Sequence, residues 1–167
     1  EGYNVGEWLA ADAPKHFVLR VESLFGGPHR RSSIDRIADA VRRGQPAPVF
    51  RDRIVSPSFV VDVADASAFM LETQPEWGLY HCVNSGHATW YQVATAVAGL
   101  LNVPARVKPI TMEDAHFVAA RPRFCALSNR KLAAAGFQMP AWQDALRRWL
   151  TVRRPLVPSG VEQPGSR

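Results

Sequence analysis

The fold is decided by residues 50–66, Phe-Arg-Asp-Arg-Ile-Val-Ser-Pro-Ser-Phe-Val-Val-Asp-Val-Ala-Asp-Ala. Pro57 disfavours a helical conformation at Ser56 and has no backbone N–H to donate, so this segment is predicted to be extended and kinked. Asp62 offers a carboxylate to the free amides of a first helical turn, which predicts a helix capped by Asp62. An ordinary strand-to-helix connection with solvated polar residues explains the same stretch equally well.

Short apolar runs alternate with helical patterns on both sides of this stretch. A buried strand is predicted at residues 16–21, and further strands are predicted at residues 46–50, 78–83 and 106–110. Helices are predicted at residues 3–11, 34–43, 63–73, 90–101, 129–135 and 142–150. Strands that alternate with helices indicate an α/β protein with parallel pairing. Because the strands are few and the first helix is short, the chain is predicted to be the second half of a larger α/β fold.

Polar residues before the apolar periods mark where several helices begin. Ser32 or Ser33 is a candidate cap for the second helix, and Ser128 is one for the short helix that ends at Gly136. Thr89, followed three residues later by glutamine, fits a capping box. Two expectations concern helix faces. The helix of residues 63–73 is expected to turn Ala64, Ala68 and Leu71 inward, and Trp142 and Trp149 are expected in the core.

Composition and charge exclude several classes of function. The net charge is +5, but the basic residues are scattered, which favours a generally basic surface or a site for an anionic small molecule over nucleic-acid binding. No apolar run approaches the ~20 residues of a membrane span. Cys82 and Cys125 lie far apart without metal-ligand spacing, so no metal site is indicated and a reduced, cytoplasmic setting is expected. Cys82 is predicted to be a small buried residue.

Four segments, taken in order, resemble one family, the dTDP-4-dehydrorhamnose reductases of the extended short-chain dehydrogenase/reductase superfamily. They are residues 20–27 (Arg-Val-Glu-Ser-Leu-Phe-Gly-Gly), residues 52–58 (Asp-Arg-Ile-Val-Ser-Pro-Ser) with Asp62, residues 85–91 (Ser-Gly-His-Ala-Thr-Trp-Tyr), and Arg121-Pro122 with Leu127 and Lys131-Leu132. The resemblance extends to about residue 152 and concerns the C-terminal part of those enzymes. It implies a Rossmann-like fold whose N-terminal dinucleotide-binding half is missing here. Residues 1–152 would be the substrate-binding part, with residues 1–21 as the remnant of the Rossmann core, and residues 153–167 are predicted to be a disordered tail.

The resemblance also implies an activity, the NADPH-dependent reduction of the 4-keto group of a dTDP-linked deoxysugar. In the family a Tyr-x-x-x-Lys pair handles the carbonyl proton, and a Gly-Glu pair follows it. Gly6-Glu7 matches that following pair, which places the family lysine at Tyr3 and the family tyrosine before residue 1. Since no glycine-rich turn is present either, this chain alone is expected to be inactive and to bind no cofactor, and NADPH or NADH would serve the full-length parent.

Site residues are carried over from the resemblance by position. Glu22 and Gly26 would lie at the cofactor. The substrate would be bound by Ser23, Leu24, Phe25, Ser56, Pro57, Ser58, Trp90 and Arg121. Arg121 would reach the diphosphate, where a guanidinium forms bidentate hydrogen bonds, although a surface arginine beside a proline is the alternative. Trp90 fits a core residue and a stacking platform equally well, and Thr89 is assigned to capping before ligand contact.

Some positions depart from the family pattern, and they leave the substrate open. The family's Asp-Gln stands here as Asp52-Arg53, and its Ser-Pro-Thr as Ser-Pro-Ser at residues 56–58. Asp52 is expected either to hold its loop through a salt bridge to Arg51 or Arg53, or to touch the ligand.

Three hypotheses on function follow from these patterns. The chain is the nucleotide-sugar-binding portion of a reductase, or a non-catalytic relative that binds a ligand or regulates a partner, or a basic interaction module. The expected partner is a small nucleotide sugar rather than a membrane or nucleic acid. Self-association is expected through an apolar face left exposed where the rest of the sheet would pack.

Overall fold

The computed structural model describes residues 4–115 and 117–152. The predicted tail and Tyr3 lie outside these residues. Eight strands and six helices alternate along the described part of the chain. They are α1 Asn4–Ala11, β1 Phe17–Arg20, β2 Leu24–Phe25, α2 Ser33–Arg42, β3 Ala47–Phe50, β4 Ile54–Val55, β5 Ser58–Phe59, α3 Val60–Thr73, β6 Gly78–His81, β7 Ala88–Thr89, α4 Trp90–Leu100, β8 Val107–Ile110, α5 Arg130–Ala134 and α6 Trp142–Val152.

The strands of the described residues pair two by two. β1 pairs with β6, β2 with β5, and β3 with β8, each in parallel, whereas β4 and β7 run antiparallel. The parallel pairing expected from alternating strands and helices is therefore confirmed for the three crossover pairs. The prediction that the first strand is buried holds only in part, since β1 is half-buried and ends at the exposed Arg20.

Apolar side chains collect in two cores. The larger core packs α2 and α4 against β3 and against α6, which contributes Trp142 and Trp149 as predicted. The smaller core joins α3, β6 and α5 around Tyr80 and Leu132 and includes the buried Cys82. None of the helices in the described ranges has both the length and the apolar character of a membrane span.

Two helix starts follow their local signals and one does not. The Ser32 hydroxyl oxygen caps α2 by accepting from the Asp35 N–H at 3.0 Å, and the Asp35 carboxylate accepts from the Ser32 N–H. Thr89 and Gln92 form the predicted capping box of α4. The prediction for Ser128 is wrong, because Asn129 precedes α5 and makes no side-chain capping bond. With Leu132 buried, core packing is the visible support for this five-residue helix.

The helix that follows the deciding stretch is rotated from its predicted orientation. α3 begins at Val60 without a side-chain cap, so the predicted cap by Asp62 is wrong. The buried face of α3 carries Asp62, Ala66 and Met70. Ala64 and Ala68 are exposed, and Leu71 is 70% exposed. Asp62 can occupy the inward face because its charge is neutralised there, as described next.

A buried ion pair joins α3 to α6. Arg148 donates Nη1–H to Asp62 Oδ1 at 2.8 Å and Nη2–H to Oδ2 at 2.7 Å. Asn84 donates to the same Oδ2 at 2.6 Å. Arg148 also donates to Asp144 at 2.7 Å, and these carboxylates raise the pKa of the guanidinium, with the Asp62 hydrogen bond as the largest cause. The carboxylate is thus satisfied by three charge-assisted or polar bonds although it is almost fully buried.

Apolar side chains on α1 face outward. Val5 is 55% exposed, and Trp8 and Leu9 are each 69% exposed. α1 is held to β1 by a fork-shaped ion pair in which Arg20 donates to both oxygens of Glu7, at 2.7 and 2.6 Å. Three apolar side chains of α1 are therefore exposed, and the expectation that the rest of the sheet packs on an apolar face of this chain stays a prediction.

Candidate ligand-binding cleft

A cleft of about 610 Å³ opens between α2, β3 and the connection that follows β8. Its floor is apolar, because α2 and β3 turn small and branched side chains toward it. The lining residues are Ser33, Arg36, Ile37, Ala40, Ala47, Pro48, Val49, Phe50, Arg53, Trp90, Phe117 and Arg121. The larger core lies directly below, since Ile37, Ala47 and Val49 also belong to it. A rigid floor of this kind fixes the positions of the polar groups above it.

Three guanidinium groups line the cleft, and none of its described lining residues is acidic. Arg36 extends from α2 and donates to Ser33 Oγ at 3.4 Å. Arg121, in the connection after β8, lies over the Phe117 ring at 5.5 Å from its centroid. Arg53 follows β3 and completes the set. Since three permanent positive charges converge without a carboxylate, the cleft is suited to an anion with several oxygens.

Aromatic rings form one wall of the cleft. The rings of Phe50 and Phe117 are tilted against each other with centroids 5.7 Å apart. Trp90 is 9% exposed, so it is a core residue that still turns one surface to the cleft. Planar rings beside cations offer a stacking surface for a flat group joined to an anionic one.

The side chain of Arg53 is incompletely paired. Its Nε is buried and has no hydrogen-bond partner among the described residues. Its Nη2 donates to the Sγ of Cys125 at 3.8 Å, and a thiol is a weak acceptor. A buried donor without a partner is costly, because water is lost and nothing replaces it.

A second cluster of polar residues lies beside the cleft, and its members form hydrogen bonds with one another and with nearby backbone groups. Glu22 accepts from the Ser56 N–H at 2.5 Å with one oxygen and from the Ser23 hydroxyl at 2.6 Å with the other. Ser56 Oγ accepts from the Leu127 N–H at 3.1 Å, and Ser58 donates its hydroxyl to the Ser56 carbonyl at 2.9 Å. Burial raises the pKa of Glu22, against the lowering effects of Ser23, Ser56 and the Arg53 charge.

The residues predicted to bind substrate therefore divide between two places. Trp90 and Arg121 line the cleft, and the serine hydroxyls at 56 and 58, both buried, are used in internal hydrogen bonds. Pro57 is buried between them, and Leu24 is 41% exposed. Of the two other predicted residues, Ser23 donates its hydroxyl to Glu22, and Phe25 is 1% exposed and packs against Phe59 and Trp149.

Gly26 has a packing reason for being glycine. Its φ is +88°, and a Cβ there would overlap the ring of Phe59. A smaller cavity of about 230 Å³ touches Gly26 and its neighbours on the side of Trp149. Within the described residues no group of three or more His, Cys, Asp or Glu side chains is arranged to hold a metal ion.

Sequence reasoning did not assign four of the six charged and aromatic residues that line the cleft, namely Arg36, Phe50, Arg53 and Phe117. The sequence signal for Arg53 was its departure from the family's Asp-Gln, whereas Arg36 carried none. Asp52 makes neither of the ion pairs proposed for it. Its carboxylate accepts from the Met112 N–H at 3.0 Å and lies 3.9 Å from Arg123. This bond ties the end of β3 to the connection that carries Phe117 and Arg121.

Comparison with known proteins gives consistent relatives. The chain is 33% identical over 137 residues to the spore coat polysaccharide biosynthesis protein SpsK of Bacillus subtilis, covering 81% of this chain and 47% of SpsK. It is 34% identical over 140 residues to a dTDP-4-dehydrorhamnose reductase of Streptomyces griseus, covering 78% of this chain and 44% of the relative. The chain thus spans about half the length of the curated relatives it matches.

Solved structures confirm the predicted fold class. A dTDP-4-dehydrorhamnose reductase of Bacillus anthracis, solved with NADP, superposes with a TM-score of 0.79 at 25% identity, over 91% of this chain and 53% of that one. A UDP-glucose 4-epimerase of Thermus thermophilus, solved with NAD, gives a TM-score of 0.66 at 20% identity over 87% and 49%. The α/β architecture is that of Rossmann-like extended short-chain dehydrogenase/reductases. The model of the RmlD substrate binding domain matches residues 4–154, and the chain belongs to that family.

Proposed function

We propose that the chain is the nucleotide-sugar-binding portion of an NADPH-dependent reductase that acts on the 4-keto group of a dTDP-linked deoxysugar. The observation that carries this proposal is the cleft, where three guanidiniums and an aromatic wall meet without a carboxylate. A nucleoside diphosphate joins a flat base to anionic oxygens, so it matches both features. Several relatives named dTDP-4-dehydrorhamnose reductase support the choice of a dTDP-sugar.

Different residues of the cleft would bind different parts of the ligand. Phe50, Phe117 and Trp90 would receive the base, because their rings form the wall. Arg121 would hold the diphosphate from the exposed rim, with its guanidinium plane already oriented by Phe117. The wall is tied down by Asp52, whose bond to the Met112 N–H fixes the connection after β8. The side chains that bind are therefore partly positioned before the ligand arrives, which lowers the entropic cost of binding.

The described residues do not fit a dinucleotide cofactor. The Phe59 ring leaves no room for a side chain at Gly26, so packing explains this glycine, and both oxygens of Glu22 accept hydrogen bonds from Ser23 and Ser56. No glycine-rich strand–turn–helix lies in the described residues to receive the pyrophosphate. We propose that Glu22 and Gly26 lie near the nicotinamide end only in a full-length protein, and that NADPH or NADH binds through other elements.

Calorimetric titration tests the proposal. The chain is titrated with dTDP-glucose and, separately, with NADPH. We expect saturable binding of dTDP-glucose and none of NADPH. Arg121→Ala should weaken dTDP-glucose binding about tenfold, the value of one charge-assisted contact. Arg130→Ala, at an exposed position on α5 beside the smaller core, is the matched control and should leave binding unchanged.

Each other outcome points to a different function. Absence of dTDP-glucose binding would refute a ligand site in this chain. Binding of dTDP-glucose by a full-length protein that oxidises no NADPH would favour the non-catalytic relative. Tight, salt-sensitive binding of random duplex DNA would favour the basic interaction module.

A further inference from the structure

We propose that Arg53 is the specificity-determining residue of the cleft, and that it binds a phosphate oxygen of the ligand from the buried side. This inference rests on the proposed function and adds the group that selects for phosphate. Arg121 would then be an outer contact whose loss is tolerated better than the loss of Arg53.

Pairing is the first reason. Within the described residues Arg53 forms no ion pair, and its Nη2 donates a weak hydrogen bond to Cys125 Sγ at 3.8 Å. Its Nε is buried without a partner. Burial raises the pKa of the nearby Glu22 and the Arg53 charge lowers it, but the two side chains form no ion pair or hydrogen bond, and the Glu22 oxygens accept from Ser23 and Ser56. The guanidinium of Arg53 therefore keeps N–H donors available to a ligand.

Depth is the second reason. Arg121 is exposed, whereas Arg53 is half-buried where it lines the cleft. Charges in contact with water are screened, and a charge in a less hydrated place attracts an anion more strongly. This lower hydration makes the Arg53 contact the stronger of the two.

Chemistry narrows the kind of ligand. The neutral side-chain amide of glutamine donates hydrogen bonds from one nitrogen. The charged guanidinium of arginine can donate two parallel hydrogen bonds to two oxygens, which glutamine cannot do. With arginine at this position, the cleft favours ligands by their phosphate charge as well as by their base. The expected preference is for nucleoside diphosphates over the corresponding nucleoside.

The test compares thymidine, dTDP and inorganic pyrophosphate as ligands for the chain and its variants. Arg53→Gln should weaken dTDP binding at least thirtyfold, abolish pyrophosphate binding and leave thymidine binding unchanged. Arg53→Lys, which keeps the charge but loses the fork, should fall between Arg53→Gln and the unchanged chain. Arg121→Gln should weaken dTDP binding less than Arg53→Gln does. Arg130→Gln is the control for loss of one surface charge.

Ligand-free stability separates a binding role from a structural one. Since Arg53 Nε is an unsatisfied buried donor, Arg53→Gln should leave the urea midpoint unchanged or raise it. A lowered midpoint would make Arg53 a structural residue and overturn the inference. Equal losses of dTDP and thymidine binding would overturn it as well. If the unchanged chain binds dTDP and Arg53→Gln retains that affinity, the inference fails while the proposed function stands; if the unchanged chain binds none of the three ligands, the proposed function fails with it.

Discussion

Replacing Asp62 with alanine removes the acceptor at the centre of the α3–α6 contact. Three hydrogen bonds end on this carboxylate, two from Arg148 and one from Asn84, at 2.6 to 2.8 Å. The side chain of Asp62 is 3% exposed, so water cannot take over these bonds without entering the protein. Asp62→Ala therefore leaves a partly buried guanidinium and a buried amide hydrogen without their acceptor.

The expected loss of unfolding free energy depends on the contacts that Arg148 and Asn84 keep when Asp62 is removed. Removing one member of a buried ion pair costs about 3–5 kcal/mol. The Arg148 side chain is 38% exposed and retains Asp144, and Asn84 keeps its bond to the Pro140 carbonyl at 3.0 Å. These remaining contacts place the expected loss at the lower end, about 3 kcal/mol. For a chain of this size each 1 kcal/mol lowers Tm by about 2–4 °C, so Tm should fall by about 6–12 °C.

Urea denaturation followed by tryptophan fluorescence measures the loss. Asp65→Ala is the matched control, because Asp65 is an exposed aspartate on the same helix, and its effect should stay within about 0.5 kcal/mol. Combining Asp62→Ala with Arg148→Met gives the coupling energy of the pair. A loss below about 1 kcal/mol for Asp62→Ala, or a coupling near zero, would refute the reasoning.

Three further predictions concern single sites. Burial raises the pKa of Glu22 above its ordinary value of 4.5, so ionisation of this carboxyl group destabilises the folded state as the pH rises. Glu22→Gln should therefore become more stable relative to the unchanged chain as the pH rises above 4.5. A series of urea midpoints at increasing pH that shows no such trend would contradict this prediction. Burial raises the pKa of the Cys82 thiol to about 11, whereas Cys125 is partly exposed, so a disulfide reagent at pH 8 should label Cys125 quickly and Cys82 only on unfolding, as peptide mass mapping would report. Gly26→Ala should lose about 1–3 kcal/mol of unfolding free energy, because its Cβ would overlap the Phe59 ring, and calorimetric melting that shows no loss would refute this.

Local signals predicted the parts of the fold that depend on neighbours along the chain. The capping boxes of α2 and α4 are each complete within four residues, so a cap at Ser32 or Ser33 and the box of Thr89 and Gln92 could be predicted without knowing the tertiary structure, whereas the bond that Asp35 accepts was not predicted. The apolar period of α6 likewise buries Trp142 and Trp149 as expected. These are cases where propensity and packing agree.

Tertiary contacts decided the features that sequence reasoning missed. Leu71 was expected inside α3 because it is apolar, yet the inward face carries Asp62, since Arg148 lies opposite it. The identity of that partner cannot be deduced from periodicity. The cleft shows the same limit: Arg36 looks like any exposed helix arginine until α2 is placed beside β3. The resemblance pointed to Arg121 and Trp90, which line the cleft, but gave no weight to Arg53.

The Asp62–Arg148 pair also bears on the order in which the chain folds. Its two members are 86 positions apart, and the segment between them contains the buried residues of the smaller core and about half of those of the larger core. Closing a loop of that length is slow and entropically costly, so a contact across it should form late. Until α6 docks, the Asp62 carboxylate on the inward face of α3 has the hydrogen bond from Asn84 but lacks the cation that neutralises its charge. Asp62→Ala should therefore speed unfolding and leave the refolding rate almost unchanged, with a φ-value near zero in stopped-flow chevron measurements. During synthesis, Arg148 has to leave the ribosome before the α3–α6 ion pair can form, so we expect docking of α6 to be the step that fixes α3 in place.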